Sequence, residues 1–314
     1  MVNDSYMIFS GTSHPALARD IASSLGVALS NISIERFPDG EIGVEVLDNV
    51  RGRTLFVVQT LAHKPNEFLM ELLIMIDAFK RASASRVVVV VPYYGYARQD
   101  RKDRGRVPIT AKLVANLLVK AGADRVVTTD LHSEQIQGFF DIPVDNLYTR
   151  SLLGEAVSGL PAVDLVVVTP DIGSTRLARL LAGEIGAGFA IVDKRRISAT
   201  DIETGALIGE VAGKDIVLVD DICSTGGTLK SAAKACRKAG ARRIFAAITH
   251  PVFTTDVILR EGIIETLFVT DTIPLPESLD LPGVRTVSVA SLFAAAIESI
   301  VNNRSVWALS HPRT

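Results

Sequence analysis

The sequence predicts an α/β fold built on mainly parallel sheets, and three observations carry that expectation. Short β-branched runs alternate with longer amphipathic stretches along the whole chain. Some runs are apolar without interruption, as at Val87–Val91, the pattern of a strand covered on both faces. Several amphipathic stretches stop at a glycine (Gly26, Gly122, Gly186, Gly240), the residue favoured just past a helix end. Alternation with short links gives parallel strands flanked by helices.

In order, Tyr6–Phe9 reads as a strand and His14–Leu25 as a helix. Strand Thr54–Val58 leads to helix Asn66–Ala82, and strand Arg86–Val91 to helix Ile109–Ala121. Strand Arg125–Thr129 follows. The turn-rich Ser158-Gly159-Leu160-Pro161 then precedes a fresh strand at Leu165–Thr169, which sets a boundary within Tyr148–Asp164. Helix Thr175–Ile185, strands Phe189–Val192 and Ile216–Val219, helix Thr228–Ala239 and strand Ile244–Thr249 complete the pattern. The 314 residues suit two domains, 1–150 and 151–314. A tail of roughly ten residues is expected to return to the first.

Composition excludes several classes. Lys and Arg number 33 against 35 Asp and Glu, a net charge of -2, so no basic excess exists to coat nucleic acid. With 48% hydrophobic and 22% charged residues the chain can bury a large core, and wholesale disorder is excluded. A membrane span needs about 18–20 unbroken apolar residues. Phe68–Phe79 is broken by Glu71 and Asp77, and Leu292–Val301 by Glu298. The N-terminus has no basic stretch of the kind that opens a signal peptide, and the two cysteines, Cys223 and Cys236, make neither a disulfide framework nor a four-cysteine zinc site. A cytoplasmic protein is expected.

Four predicted strands end in polar clusters, where open α/β sheets bind ligands. The sharpest is Ile216–Thr228, IVLVDDICSTGGT. Gly226 and Gly227 permit a tight turn that presents N–H groups. Ser224, Thr225 and Thr228 add hydroxyls, and a helix N-terminus follows. This is an anion nest suited to a phosphate monoester. Asp220 and Asp221 fit beside a phosphate if the ligand also carries hydroxyls to donate or brings a metal. Phosphate plus vicinal hydroxyls describes a phosphorylated sugar. A plain strand–turn–helix with capping hydroxyls is the alternative.

The other clusters read less sharply. In Asp130-Leu131-His132-Ser133-Glu134 the imidazole beside carboxylates suits a divalent ion, though a lone histidine is more often structural. Asp171 ends another strand and is a second possible ligand. Magnesium is the expected metal, since no thiolate cluster exists and phosphates supply oxygens. Residues 98–106, RQDRKDRGR, carry five cations, which make either a solvated loop or a polyphosphate site. Lys194-Arg195-Arg196 opens a polar stretch, read as a loop that closes over a phosphoryl group or as a basic surface hairpin.

Taken together these segments closely resemble the ribose-phosphate pyrophosphokinases, the synthetases of phosphoribosyl pyrophosphate (PRPP). The resemblance runs through RFPDGE at 36–41, NVRG at 49–52, PYYGYARQDR at 92–101, DLHSEQIQGFFDIPVDNLY at 130–148, DKRR at 193–196, the 220–228 loop and THP at 249–251. It implies two similar domains of phosphoribosyltransferase type. It also implies transfer of the β,γ-diphosphoryl group of MgATP to the C1 hydroxyl of ribose 5-phosphate, giving PRPP and AMP. Matched residue by residue, Asp220, Asp221, Ser224, Thr225, Gly226, Gly227 and Thr228 would hold ribose 5-phosphate. His132 and Asp171 would serve magnesium. Arg98, Gln99 and Asp100 would contact ATP. Phe37, Asp39 and Glu41 would receive the adenine from a neighbouring subunit, and Lys194 and Arg196 would be catalytic. A homo-oligomer is implied, commonly a hexamer, with sites shared between subunits. The chain departs from the family where Asp-Asp-x-x-Asp-Thr is usual, because Ser224 replaces the third acid. A phosphoribosyltransferase would explain the 220–228 loop but not DLHSEQIQGFF. A non-catalytic regulatory homologue gains some support from Ser224.

Overall fold

The computed structural model describes residues 6–171, 173–196, 202–254, 262–276 and 283–310. Its contacts divide the chain into two units: Met1–Tyr148 with Thr272–Pro274 and Val289–Thr314, and Thr149–Asp271 with Leu275–Ser288.

The first unit holds a parallel five-stranded sheet in the order β1-β4-β5-β6-β7, with β1 at Tyr6–Ser10, β4 at Thr54–Val58, β5 at Arg86–Val91, β6 at Arg125–Thr129 and β7 at Val144–Leu147. Val87–Val91 is wholly buried, as the unbroken valine run requires. Strands β2 (Ile32–Arg36) and β3 (Ile42–Val46) form a separate antiparallel hairpin. Helices α1 (Pro15–Ser24), α2 (Pro65–Arg81) and α3 (Thr110–Ala121) follow β1, β4 and β5. Both α1 and α2 start on a proline, whose missing N–H costs nothing in the first turn. A 3₁₀ turn spans Glu134–Phe139.

A polar brace ties the β1 end to α2. Glu71, fully buried on α2, accepts from Thr12 N (2.7 Å), Thr12 Oγ1 (2.6 Å) and Gln59 Nε2 (2.7 Å). Gln59 Oε1 accepts from Ser13 N at 3.1 Å. At Gly11 a Cβ would fall 2.2 Å from Gln59 Oε1, so only glycine admits that amide. Glu71 breaks the apolar run of 68–79 because its carboxylate has a task inside the fold.

The second unit holds a seven-stranded sheet in the order β10-β9-β8-β11-β12-β13-β14. These are β8 (Val166–Thr169), β9 (Gly188–Arg196), β10 (Ile202–Ile208), β11 (Asp215–Cys223), β12 (Arg243–Pro251), β13 (Thr266–Thr270) and β14 (Val284–Val287). All pair in parallel except β10, which runs antiparallel to β9. Alternate residues serve opposite faces. Val168 and Leu218 join Leu229, Ala232 and Cys236 of α6 (Gly227–Lys238) in one core. Val167, Val217 and Val219 join Leu153 of α4 (Arg150–Ser158) and Ala178 and Leu181 of α5 (Thr175–Ile185) in the other.

At the amino end of β11 the fully buried Asp215 accepts from Arg242 Nε (2.7 Å), Arg243 Nη2 (2.7 Å) and Val163 N (2.9 Å). Hydrogen bonds from Arg242 hold its carboxyl well below the ordinary value, against the opposing effect of burial. Asp215→Ala is expected to cost about 1 kcal/mol in urea unfolding, since Val163 N loses its buried acceptor while the partly exposed Arg242 and Arg243 can turn to water. A depressed carboxyl stabilises above its unfolded value and loses that contribution as pH falls toward the folded one. The difference between wild type and Asp215→Ala should therefore be full at pH 7 and shrink as pH is lowered below 3.8.

Candidate functional site

The sheet of the second unit has one place where strand order reverses. From β8 the chain steps to β9 on one side, then returns to lay β11 on the other. Helix α5 leaves β8 toward one face and α6 leaves β11 toward the opposite face. Their departures open a crevice at the carboxyl ends of β8 and β11, the ligand position of open α/β sheets. Asp171 stands just past β8, and Asp220 and Asp221 lie within β11, whose pairing with β12 continues through Ile222 and Cys223.

Asp220 is 9% exposed. Its Oδ1 accepts from Ser174 Oγ and from Asp221 N at 3.0 Å. Burial raises its pKa above the ordinary carboxyl value, the neighbouring Asp221 charge raises it further, and the Ser174 hydrogen bond opposes both. Asp171 Oδ1 accepts from Gly173 N (2.8 Å) and Ser174 N (3.3 Å), so the backbone of this loop aims that carboxylate too.

The loop to α6 turns at Gly226, which is buried with φ +73° and is the last residue before the helix. A side chain at that φ would be strained, which accounts for the glycine. Gly227 N reaches Thr225 Oγ1 at 3.4 Å, and the carbonyls of Cys223 and Ser224 accept from Phe253 N (3.1 Å) and Thr254 N (3.0 Å). Ser224 and Thr228 are half-buried and Thr225 exposed. The loop thus joins β11 to a helix N-terminus with its hydroxyls at or near the surface. Burial pushes the Cys223 thiol up to about 12, so this sulfur is no nucleophile near neutral pH. Lys194 and Arg196 lie on β9, opposite Thr204 and Ile202 of β10. The backbone there is a hairpin, and residues 197–201 lie outside the described residues.

In the first unit Phe37, Asp39 and Glu41 cluster at the β2–β3 turn. Phe37 N donates to Glu41 O (2.9 Å), Gly40 N to Phe37 O (2.9 Å) and Glu41 N to Asp39 Oδ1 (3.1 Å). The Phe37 ring is 47% exposed and lies over Gly43, where a Cβ would come within 2.7 Å of it. Arg36 binds Glu67 at 3.0 Å and anchors the hairpin to α2.

Arg98, Gln99 and Asp100 follow β5. Gln99 is tied down by its own N to Tyr96 O (2.9 Å) and by Thr110 Oγ1 to its Oε1 (2.5 Å). Arg98, Arg101, Lys102, Arg104 and Arg106 are all exposed, and no ion pair among the described residues engages them. His132, also exposed, follows Asp130, a buried residue at φ +37°. Leu131 N donates to Asn146 Oδ1 at 3.1 Å, which fixes the path of that turn.

The candidate residues thus fall into separate groups. Asp171, Asp220, Asp221 and the 224–228 loop share one sheet edge of the second unit, while the hairpin tip, the 98–100 loop and His132 belong to the first. No group of three or more His, Cys, Asp or Glu side chains among the described residues could by itself hold a metal. The donor set still suits magnesium, which binds through one or two carboxylates plus substrate phosphates. Asp171 spends one oxygen on backbone amides and keeps the other. Ser174, Glu71 and Asn146 were not legible as functional supports.

A sheet with paired acids and a glycine-turned loop at its switch point makes the second unit a domain of phosphoribosyltransferase type. The match to known families is narrower. The model of the N-terminal domain of ribose phosphate pyrophosphokinase matches residues 6–122, and that of the phosphoribosyl transferase domain matches 146–254. The ribose-phosphate pyrophosphokinase of Wolinella succinogenes is 47% identical over 97% of this chain and 98% of its own length. That of Chlorobaculum tepidum is 49% identical over 95% and 93%. The crystal structure of phosphoribosylpyrophosphate synthetase from Mycobacterium smegmatis superposes with a TM-score of 0.90 at 41% identity, covering 96% of this chain and all of that one. The chain belongs to the ribose-phosphate pyrophosphokinase family. No helix among the described residues is long and apolar enough to cross a membrane.

A raised carboxyl makes the fold less stable as pH climbs past the ordinary Asp value. Asp220→Asn removes that cost. It is expected to raise stability at pH 8 by on the order of 1 kcal/mol. The gain, read from thermal melts, should vanish near pH 4, where a carboxyl outside the fold is itself protonated.

Proposed function

We propose that this chain is a ribose-phosphate diphosphokinase, which transfers the β,γ-diphosphoryl group of ATP to the C1 hydroxyl of ribose 5-phosphate. The observation that carries the reading is the switch-point edge of the second unit, where the buried Asp220 and the half-buried Asp221 and Asp171 adjoin a hydroxyl-rich loop opening a helix. The family match supports it along nearly the whole chain.

Ser224, Thr225, Gly226, Gly227 and Thr228 bind the 5-phosphate, and Asp220 and Asp221 accept hydrogen bonds from the ribose hydroxyls. Phe37 stacks on adenine, with Asp39 and Glu41 beside it. Arg98, Gln99 and Asp100 contact the nucleotide, and the unpaired cations of 101–106 favour its polyphosphate end. Asp171 in the second unit and His132 in the first would each serve as a magnesium ligand, and the ion would supply positive charge to the phosphate oxygens. The C1 oxygen attacks the β-phosphorus and loses its proton. The Pα–O–Pβ bridge breaks, and its electron pair leaves on AMP. Such transfers are mostly positioning and charge stabilisation. Lys194 and Arg196 supply cations to the bridging oxygen as charge gathers there. The enzyme works in the cytoplasm as a homo-oligomer, a hexamer by family resemblance, in which Phe37 completes a neighbour's adenine pocket. Ser224 favours a second reading, a regulatory homologue that binds without turnover.

Release of AMP by the purified chain separates the two. Turnover that depends on ribose 5-phosphate and falls by well over tenfold in kcat/KM with free ribose is expected, because several charge-assisted phosphate contacts at roughly 1.5–3 kcal/mol each are lost. Absence of AMP leaves the regulatory reading. Lys194→Ala and Arg196→Ala should each lower kcat at least about 10²-fold with little change in KM, and Arg195→Ala much less. Near-normal kcat in all three would make the segment a basic surface hairpin and nothing more.

A further inference from the structure

Ser174 occupies the position before α5 where a serine ordinarily turns its hydroxyl onto an amide of the first turn. Here it makes no such bond. The hydroxyl instead crosses to Asp220 Oδ1 at the end of β11, and both residues are buried, at 8% and 9% exposure. The same residue's backbone N–H donates to Asp171 Oδ1 at 3.3 Å. One residue therefore puts a donor on each of two acids from two strands, those that flank the reversal of strand order.

The consequence for Asp220 is directional. Its Oδ1 is held from two sides, by Ser174 Oγ and by Asp221 N at 3.0 Å. Pinning one oxygen fixes where the other faces. The hydroxyl is also a donor that favours the ionised carboxylate at a place where burial and the Asp221 charge oppose ionisation. An ionised carboxylate is acceptor-only at both oxygens, whereas a protonated one must place an O–H donor on one of them. In a chain where Ser224 stands in place of the family's third acid, the aim of the two acids that remain decides how the sugar hydroxyls are met.

We infer that Ser174 is a positioning residue for sugar recognition: its hydroxyl sets the orientation of Asp220 toward the ribose hydroxyls, at the expense of capping its own helix. This rests on the reading of the site as a ribose 5-phosphate site. It predicts a selective effect on the sugar side. Ser174→Ala and the near-isosteric Ser174→Cys, whose thiol is a weak donor, should each raise KM for ribose 5-phosphate about tenfold, the scale of a hydrogen bond to a charged group. KM for ATP should stay within about twofold, and Ser174→Thr, which keeps the hydroxyl, should restore the wild-type value.

The test measures both KM values and kcat for wild type and the three variants by AMP release. Thermal melts establish that each is folded, and calorimetric titration with ribose 5-phosphate gives the affinity independently of turnover. A selective loss in the Ala and Cys variants with recovery in Thr supports the inference, as does the same order of calorimetric affinities without turnover. Unchanged affinity in Ser174→Ala and Ser174→Cys, or parallel changes in both KM values, overturns it and leaves the function intact. Failure of the wild-type chain to bind ribose 5-phosphate overturns the functional reading, and this inference falls with it. If Ser174→Thr is too bulky to fold, the Ala and Cys variants decide alone.

Discussion

Carboxylates do not sit readily inside a protein or beside one another, and Asp220 does both, buried next to Asp221. Its burial is possible because the strand order turns back between β8 and β11 and because the segments leaving those strands bring donors to it. Helices α5 and α6 depart to opposite faces at that point, each packing into its own apolar core. The valine and alanine layers on both faces hold β8 and β11 in register, so the acids arrive together. Loosening the alternation of Val166–Thr169 or Ile216–Val219 would move every residue of the edge to the wrong face.

The first unit works by a different economy. Its sheet runs in one direction without reversal, and its candidate residues sit on a hairpin tip and on loops. Rigidity there comes from hydrogen bonds that reach back into the sheet. Glu71 and Gln59 secure the turn after β1, Asn146 the turn before His132, and Thr110 the loop at Gln99. Among the described residues the cations of 98–106 make no ion pair. A cluster of like charges that the fold does not neutralise raises its free energy, and a bound polyanion would lower it again.

Much of this was readable from the chain. Thr54–Val58, Arg86–Val91, Arg125–Thr129 and the helix Thr175–Ile185 lie where their patterns place them, because valine runs and glycine stops are local signals. The hairpin of β2 and β3 escaped the pattern, since its strands are only half-buried and carry charges at the edge. Strand β9 runs on through Lys194 to Arg196 because β10 pairs with it, and nothing near Val192 announces that partner. Asp220 and Asp221 stood out as adjacent acids after a strand. The direction of the Ser174 hydroxyl did not, since it depends on a residue far along the sequence, as does the role of Glu71.

The division of the chain has a bearing on how it is made. Helix Ala290–Val301, near the C-terminus, packs on α1, near the start, and belongs to the same unit. During synthesis α1 therefore emerges before every strand of the second sheet, while the helix that packs on it is translated after all of them. The strands of the second sheet lie between Val166 and Val287 and are complete before that helix exists. The unit that begins first finishes second, reversing the usual vectorial order of domain folding on the ribosome. A nascent chain stalled before residue 290 would carry a finished second sheet and a first unit still open to chaperones.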